Sequence, residues 1–315
     1  MSRKSILSLI LFLILTAGAG LYFIFPETLF VLAKKTERQI SRLEQKQIIV
    51  DQLTIEYLEG GKGDTLLLLH GFGANKDNWT RIGKYLTPHF RVIAPDLPGF
   101  GESSTALDNN YTIMAQAVRV RSFVSALGIK SLHLGGSSMG GNIAGAYAFL
   151  YPGSLKSLIL IAPGGVVSSN PSEMYTALNQ GKPNPLIART VEEYERLLIF
   201  VFVKPPFIPL PIKQVLIQEA MSHQALNTHI FKQLRSPDRS PLETLLAGAR
   251  TPCLIIWGNQ DRVLHVSGAK ILETTMKNGQ AQIMDKVGHL PMLEKPKETA
   301  DLILNFIQAP GPGTT

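Results

Sequence analysis

The chain is nearly devoid of cysteine: Cys253 stands alone among 315 residues. A single thiol excludes internal disulfides, and its place inside an apolar run marks it as buried and inert. No Cys/His cluster has metal-ligand spacing, which excludes a structural zinc. No internal repeat and no nucleic-acid motif is present. The net charge of +7 comes from basic residues scattered along the chain. Attraction to anionic lipid headgroups is a simpler use for that charge than nucleic acid.

What is abundant is apolar sequence. Hydrophobic residues make up 45% of the chain, enough to bury a large single core. Apolar runs alternate with helical patterns, as a mostly parallel α/β sheet with helices on both faces requires.

Between one such run, Leu132-His133-Leu134, and a small-residue helix from Ile143 lies Gly136-Ser137-Ser138-Met139-Gly140. G-x-S-x-G between strand and helix is the pattern of a nucleophile elbow. Its central residue is strained, so its neighbours must be small; Gly136 and Gly140 supply the room and Gly141 lets the helix approach the sheet. Ser138 is the expected nucleophile. Ser137, at the second position, is expected to point back into the fold.

A serine hydroxyl needs a base, and the base needs an orienting carboxylate. The elbow arrangement delivers them in the order Ser, acid, His. The strand Cys253 to Gly258 ends in a loop carrying Asp261, and a strand from about Gln280 to Asp285 ends in a loop carrying His289. Both loops fall at the edge of the sheet where Ser138 stands. Asp285 is too close in sequence to turn onto the His289 ring, and Asp96 is expected to bond its own loop. The place after the strand that follows the elbow reads Ala162-Pro163-Gly164-Gly165, with no acid. Of the other histidines, His133 reads as a core or sheet-edge residue, and His89, His223, His229 and His265 as surface residues. Acyl transfer also needs two N–H donors for the developing oxyanion. The Met139 amide is one. The strand Leu66 to Leu69 runs into His70-Gly71-Phe72-Gly73, where Phe72 is expected to donate the second while its ring faces substrate.

These motifs, together with Trp79 and Asp96-Leu97-Pro98-Gly99-Phe100-Gly101, resemble the α/β-hydrolase family over nearly the whole chain after residue 50. Lys76-Asp77-Asn78-Trp79, Val203-Lys204-Pro205-Pro206-Phe207 and Ile256 to Leu264 are more narrowly similar to its membrane-anchored monoacylglycerol lipases and their bacterial lipase relatives. The resemblance implies hydrolysis of acylglycerol esters by Ser138, His289 and Asp261, with no metal or other cofactor. Hydrolysis of small soluble esters or of carbon–carbon bonds, or acyl transfer, would use the same residues.

Ile6 to Phe25 is a run of about twenty uncharged, mostly apolar residues, enough to cross ~30 Å of hydrocarbon. It is expected as a single-pass N-terminal transmembrane helix over 1–25, with the catalytic domain on the non-cytoplasmic side. A cleaved signal peptide followed by secretion is the alternative, because Ala17-Gly18-Ala19 resembles a cleavage site. Residues 26–47 read as an amphipathic stalk near the bilayer surface. The catalytic domain is expected over 48–165 and 250–308, with a disordered tail at 309–315. The intervening 166–249 exceed any ordinary crossover and read as a mainly helical cap. Its prolines from Pro205 to Pro211 break an apolar segment into a helix and an extended crossing strand. That segment is either the cap's own core or an acyl-chain groove with a greasy rim, with Phe207 among the substrate contacts.

Overall fold

The computed structural model describes residues 3–167, 170–236 and 240–309. Beyond Ala309 the expected tail lies outside the described residues.

Among the described residues eight strands form one sheet: β1 (Glu44–Val50), β2 (Leu53–Gly60), β3 (Thr65–Leu69), β4 (Arg91–Pro95), β5 (Leu132–Ser137), β6 (Leu155–Ile161), β7 (Cys253–Gly258) and β8 (Gly279–Met284). Their order is β1-β2-β4-β3-β5-β6-β7-β8. The β1–β2 and β2–β4 pairs are antiparallel and every other pair is parallel. The sheet thus starts at Glu44, four residues before the boundary expected from sequence.

Side chains of a strand alternate between faces, and here each face has its own core. Leu67 and Leu69 of β3 join one cluster while Leu66 and Leu68 join the other. The first cluster is closed by α4 (Ile113–Ala126), α5 (Met139–Leu150) and α11 (Ser267–Thr275), through Phe123, Ile143, Tyr147 and Leu272. The second is closed by α3 (Thr80–Leu86), α12 (Pro291–Glu294) and α13 (Pro296–Gln308), through Ile82, Met292 and Ile303. Burial on both faces explains why β3, β5 and β7 are continuously buried. Burial also holds the Cys253 thiol well above its ordinary pKa, so it is no thiolate nucleophile.

Between β6 and β7 the chain builds the cap from α6 (Glu173–Asn179), α7 (Val191–Val201), α8 (Leu210–Ser222) and α9 (Gln224–Leu234), followed by the short α10 (Leu242–Leu245). Pro209 precedes α8 and Pro211 occupies its first turn, where a missing N–H costs nothing. Residues 202–209 connect α7 to α8 without joining any strand, so the expected crossing strand is an unpaired connection. Pro205, Pro206 and Pro209 leave it few donors for a ladder.

At the N-terminus lie α1 (Arg3–Ile24) and α2 (Pro26–Ile40). Among the described residues no helix is long and apolar enough to cross a membrane. The expected single-pass N-terminal anchor, and the topology drawn from it, are corrected on that finding. α1 opens on Arg3 and Lys4. α2 is docked on the catalytic domain. Phe30 is buried, Arg38 donates twice to Asp77 at 2.6 and 2.7 Å, and Lys34 pairs with Glu102 at 3.4 Å.

Candidate active site

Parallel pairing brings the carboxyl ends of β3, β5, β6, β7 and β8 to one edge, where open α/β sheets bind ligands. Leu69 pairs with Gly136, Ser137 with Ile161, and Gly258 with Met284. The loops after these residues therefore meet.

Ser138 sits between β5 and α5 with φ 54° and ψ −117°, a region that side-chain-bearing residues rarely occupy. Its surroundings hold it there. A Cβ on Gly136 would collide with the Gly140 carbonyl, and one on Gly141 would come 2.8 Å from Pro163 Cβ. The Ser138 N–H donates to Ile161 at 2.9 Å, and its carbonyl accepts from Gly164 at 2.8 Å and Asn142 at 3.1 Å. Ser137 is fully buried in β5.

Asp261 and His289 are 8% and 4% exposed and in direct contact, His289 Nδ1 lying 2.8 Å from Asp261 Oδ2. That carboxylate has three further donors. The Trp257 indole N–H reaches Oδ2 at 3.0 Å, and the Val263 and Leu264 amides reach Oδ1 at 2.8 and 2.9 Å. A carboxylate so engaged only accepts, so Nδ1 carries the ring proton and Nε2 is left as a base. Asp285 instead accepts from Asn259 at 2.7 Å, and Asp96 pairs with the buried Lys76 at 2.6 Å. His289 and Ser138 line one cavity of about 380 Å³.

The loop after β3 lies against the serine: a Cβ on Gly71 would come 3.2 Å from Ser138 Cβ. His70 orients this loop. Its Nε2 accepts from the Leu97 N–H at 2.9 Å, so Nδ1 carries the proton and donates to the Gly71 carbonyl at 2.8 Å. Burial holds the His70 pKa below its ordinary value, which keeps that neutral tautomer in place. In a trans peptide the N–H points opposite the C=O, so anchoring the Gly71 carbonyl aims the Phe72 N–H the other way. Among the described residues neither the Phe72 nor the Met139 N–H has an intramolecular partner. The Phe72 ring stacks edge-on against Phe100 and Phe231 and lines the cavity. Phe207 does not: it is 88% exposed, while its neighbours Pro206 and Ile208 line the cavity.

A second, smaller cavity of about 60 Å³ adjoins Ser138 and is walled mainly by apolar side chains, including Met139, Met174, Leu186 and Val263. Among the described residues no group of three or more His, Cys, Asp or Glu side chains could hold a metal ion.

Two contributors have no role assigned by the sequence reading. Trp257 holds Asp261 while its N–H also reaches the Leu264 carbonyl at 3.0 Å; its place four residues before the acid was the available signal. Glu294 ties the histidine loop to the cap. Its Oε1 accepts from the Gly288 N–H at 2.8 Å, and its Oε2 from Val203 and Lys204 at 3.0 and 3.2 Å. The His289 N–H in turn donates to the Val201 carbonyl at 2.8 Å. Burial raises the Glu294 carboxyl above its ordinary pKa despite those three amides.

Residues 64–190 match the family model described as the alpha/beta hydrolase fold. Lipase 3 of Moraxella sp. (strain TA144) is 37% identical over 84% of this chain and 85% of its own length. Human monoacylglycerol lipase ABHD6 is 34% identical, over 78% of this chain and 76% of its own. Among solved structures, a membrane phospholipase A described as a bacterial virulence factor is 42% identical with a TM-score of 0.88. The match covers 97% of this chain and 98% of that one. A putative lipase of Acinetobacter baumannii AYE is 33% identical with a TM-score of 0.82, over 88% and 95% of the two chains.

Proposed function

The chain belongs to the α/β-hydrolase family and is a carboxylic ester hydrolase; from that premise we propose that it cleaves acylglycerol esters through an acyl-enzyme on Ser138. The observation that carries the reading is the Asp261–His289 contact at 2.8 Å, on a cavity that Ser138 shares.

In this reading His289 Nε2 takes the Ser138 hydroxyl proton as Oγ attacks the ester carbonyl carbon. The Phe72 and Met139 amides receive the oxyanion. As the tetrahedral adduct collapses, the bond to the alcohol oxygen breaks and His289 returns the proton to it. Water then gives a proton to His289 and attacks the acyl carbon; the fatty acid leaves and Oγ regains its proton. Asp261 orients the ring and stabilises its charged form. A neutral His70, held by burial, keeps the Phe72 amide aimed at the site. The cap, 166–249, supplies the apolar wall for the acyl chain, where each buried CH₂ contributes about 0.8 kcal/mol.

The test is fatty-acid release from mono-, di- and triacylglycerols and from p-nitrophenyl esters of increasing chain length. Phospholipids are included because the 42%-identical structure is a phospholipase A. Wild type is expected to favour long-chain acylglycerols, and folded Ser138→Ala to lose at least about a thousand-fold in kcat. Equal turnover by both proteins removes Ser138 from the chemistry, and preference for short soluble esters removes the lipid substrate.

A further inference from the structure

Two cavities meet at the C-terminal end of α9. One is the space of about 60 Å³ beside Ser138, and the other is an outer basin of about 960 Å³. Among the described residues Phe231 and Arg235 are the two that line both. The inner space is apolar. Met174, Leu186 and Leu234 line it from the cap, and Arg235 is its one charged side chain among the described residues. The larger cavity on Ser138 and His289 instead carries Lys34, Asp77, Glu102 and Glu219. That contrast assigns the acyl chain to the inner space and the alcohol half to the larger cavity. Yet the inner space is short. A water-sized group needs about 10–15 Å³, so about 60 Å³ admits about four to six carbons. On the far side of Phe231 the basin offers Leu178 and Ile187 to the rest of a longer chain.

We propose that Phe231 sets the acyl-chain length the enzyme accepts: its ring closes the pocket beside Ser138 and turns aside to let a longer chain run on into the basin. The inference rests on the reading of Ser138 as the nucleophile toward acyl esters. The helix under the ring is fixed. Ile230 is fully buried. Gln233 ties α9 to the catalytic domain, its Oε1 accepting from the Tyr111 N–H at 2.6 Å and its Nε2 donating to the Asn109 carbonyl at 3.1 Å. Phe231 itself is only half-buried, and it stacks edge-on against Phe72 with ring centres 5.4 Å apart. Arg235 beside it is exposed and lies over the Tyr175 ring at 5.7 Å. A change of rotamer is a far faster motion than displacement of a helix, so the partition opens without the cap lifting. Each methylene that passes the ring and is buried on Leu178 or Ile187 adds about fourfold to kcat/KM.

The test compares p-nitrophenyl hexanoate with p-nitrophenyl dodecanoate, both kept below the concentration at which they aggregate. The readout is the ratio of kcat/KM for the dodecanoate to that for the hexanoate, taken on a single preparation. Unfolded protein, and any shift of the Phe72 amide that slows both esters alike, then cancels. Phe231→Ala removes the ring and is expected to raise the ratio about four- to tenfold, the worth of one or two methylenes. Phe231→Trp enlarges the ring and is expected to lower it by a similar factor. Leu198→Ala, on the wall of the larger cavity, is expected to leave the ratio where it is. A ratio unmoved by both Phe231 variants, or one moved by Leu198→Ala instead, overturns the gate and puts the acyl chain in the larger cavity, while hydrolysis at Ser138 stands. Failure of wild type to turn over either ester overturns the reading of Ser138 beneath it.

Discussion

Gly140→Ala tests whether close approach of the elbow helix to β3 sets the oxyanion geometry. The added methyl would collide with the Leu69 carbonyl oxygen, its nearest neighbour, and come 2.5 Å from the His70 carbonyl oxygen, against at least 3.4 Å for an ordinary contact. Both neighbours are backbone of the central sheet and its adjoining loop, and neither can rotate away. The start of α5 must then retreat by roughly 1 Å, taking the Met139 N–H with it. Overpacking of this kind costs about 1–3 kcal/mol, partly offset by about 1 kcal/mol from the better helix propensity of alanine. The rate suffers more, since misplacing a catalytic group by about 1 Å costs on the order of 100-fold. The assay is kcat/KM on a monoacylglycerol beside Tm by calorimetry. Gly153→Ala is the control, because a Cβ there meets nothing within 4 Å, and its stability change should stay within about 0.5 kcal/mol. A Gly140→Ala protein with wild-type kcat/KM would refute the close-approach argument.

Trp257→Phe removes a donor from Asp261 and the partner of the Leu264 carbonyl. It should lower kcat/KM about ten- to a hundred-fold, in line with roughly 1.5–3 kcal/mol for a hydrogen bond to a charged group; unchanged kinetics would show that the indole only fills space. Glu294→Ala strips the shared acceptor from Gly288, Val203 and Lys204. Limited proteolysis between α7 and α8 should accelerate, and a wild-type cleavage rate would mean that the carboxylate is no latch. Burial raises the Glu219 carboxyl above its ordinary value, so the folded state holds its proton more tightly than the unfolded chain. That contribution is complete below the ordinary Glu pKa and is lost as pH rises through the raised folded value. Glu219→Gln should therefore gain Tm relative to wild type as pH rises from about 4 to 8, by chemical denaturation or calorimetry; a difference constant across that range contradicts the sign.

Features encoded by short segments were legible before any coordinates. The elbow can be read because Gly136, Ser138, Gly140 and Gly141 are contiguous and sterics dictate them. The loops of Asp261 and His289 follow from strands whose apolar runs are clear, and β8 falls within a residue of expectation. Features that join distant segments were not legible. Glu294 lies 91 positions from Val203, and no periodicity reveals that the end of α7 folds back onto the histidine loop. Phe207 was drawn into the site by its neighbours, but an extended connection turns alternate side chains opposite ways, and the odd one faces solvent.

The central claim, that the Ser138 oxygen becomes covalently acylated, is tested most directly by rapid acid quench of the working enzyme with a long-chain monoacylglycerol. Intact-mass spectrometry should find a fraction of the protein heavier by one acyl group, less the proton it replaces. Peptide mapping should place that mass on Ser138, with none on Ser137 and none in Ser138→Ala. Full turnover without any acylated protein under those conditions, or an adduct on another side chain, would contradict the account.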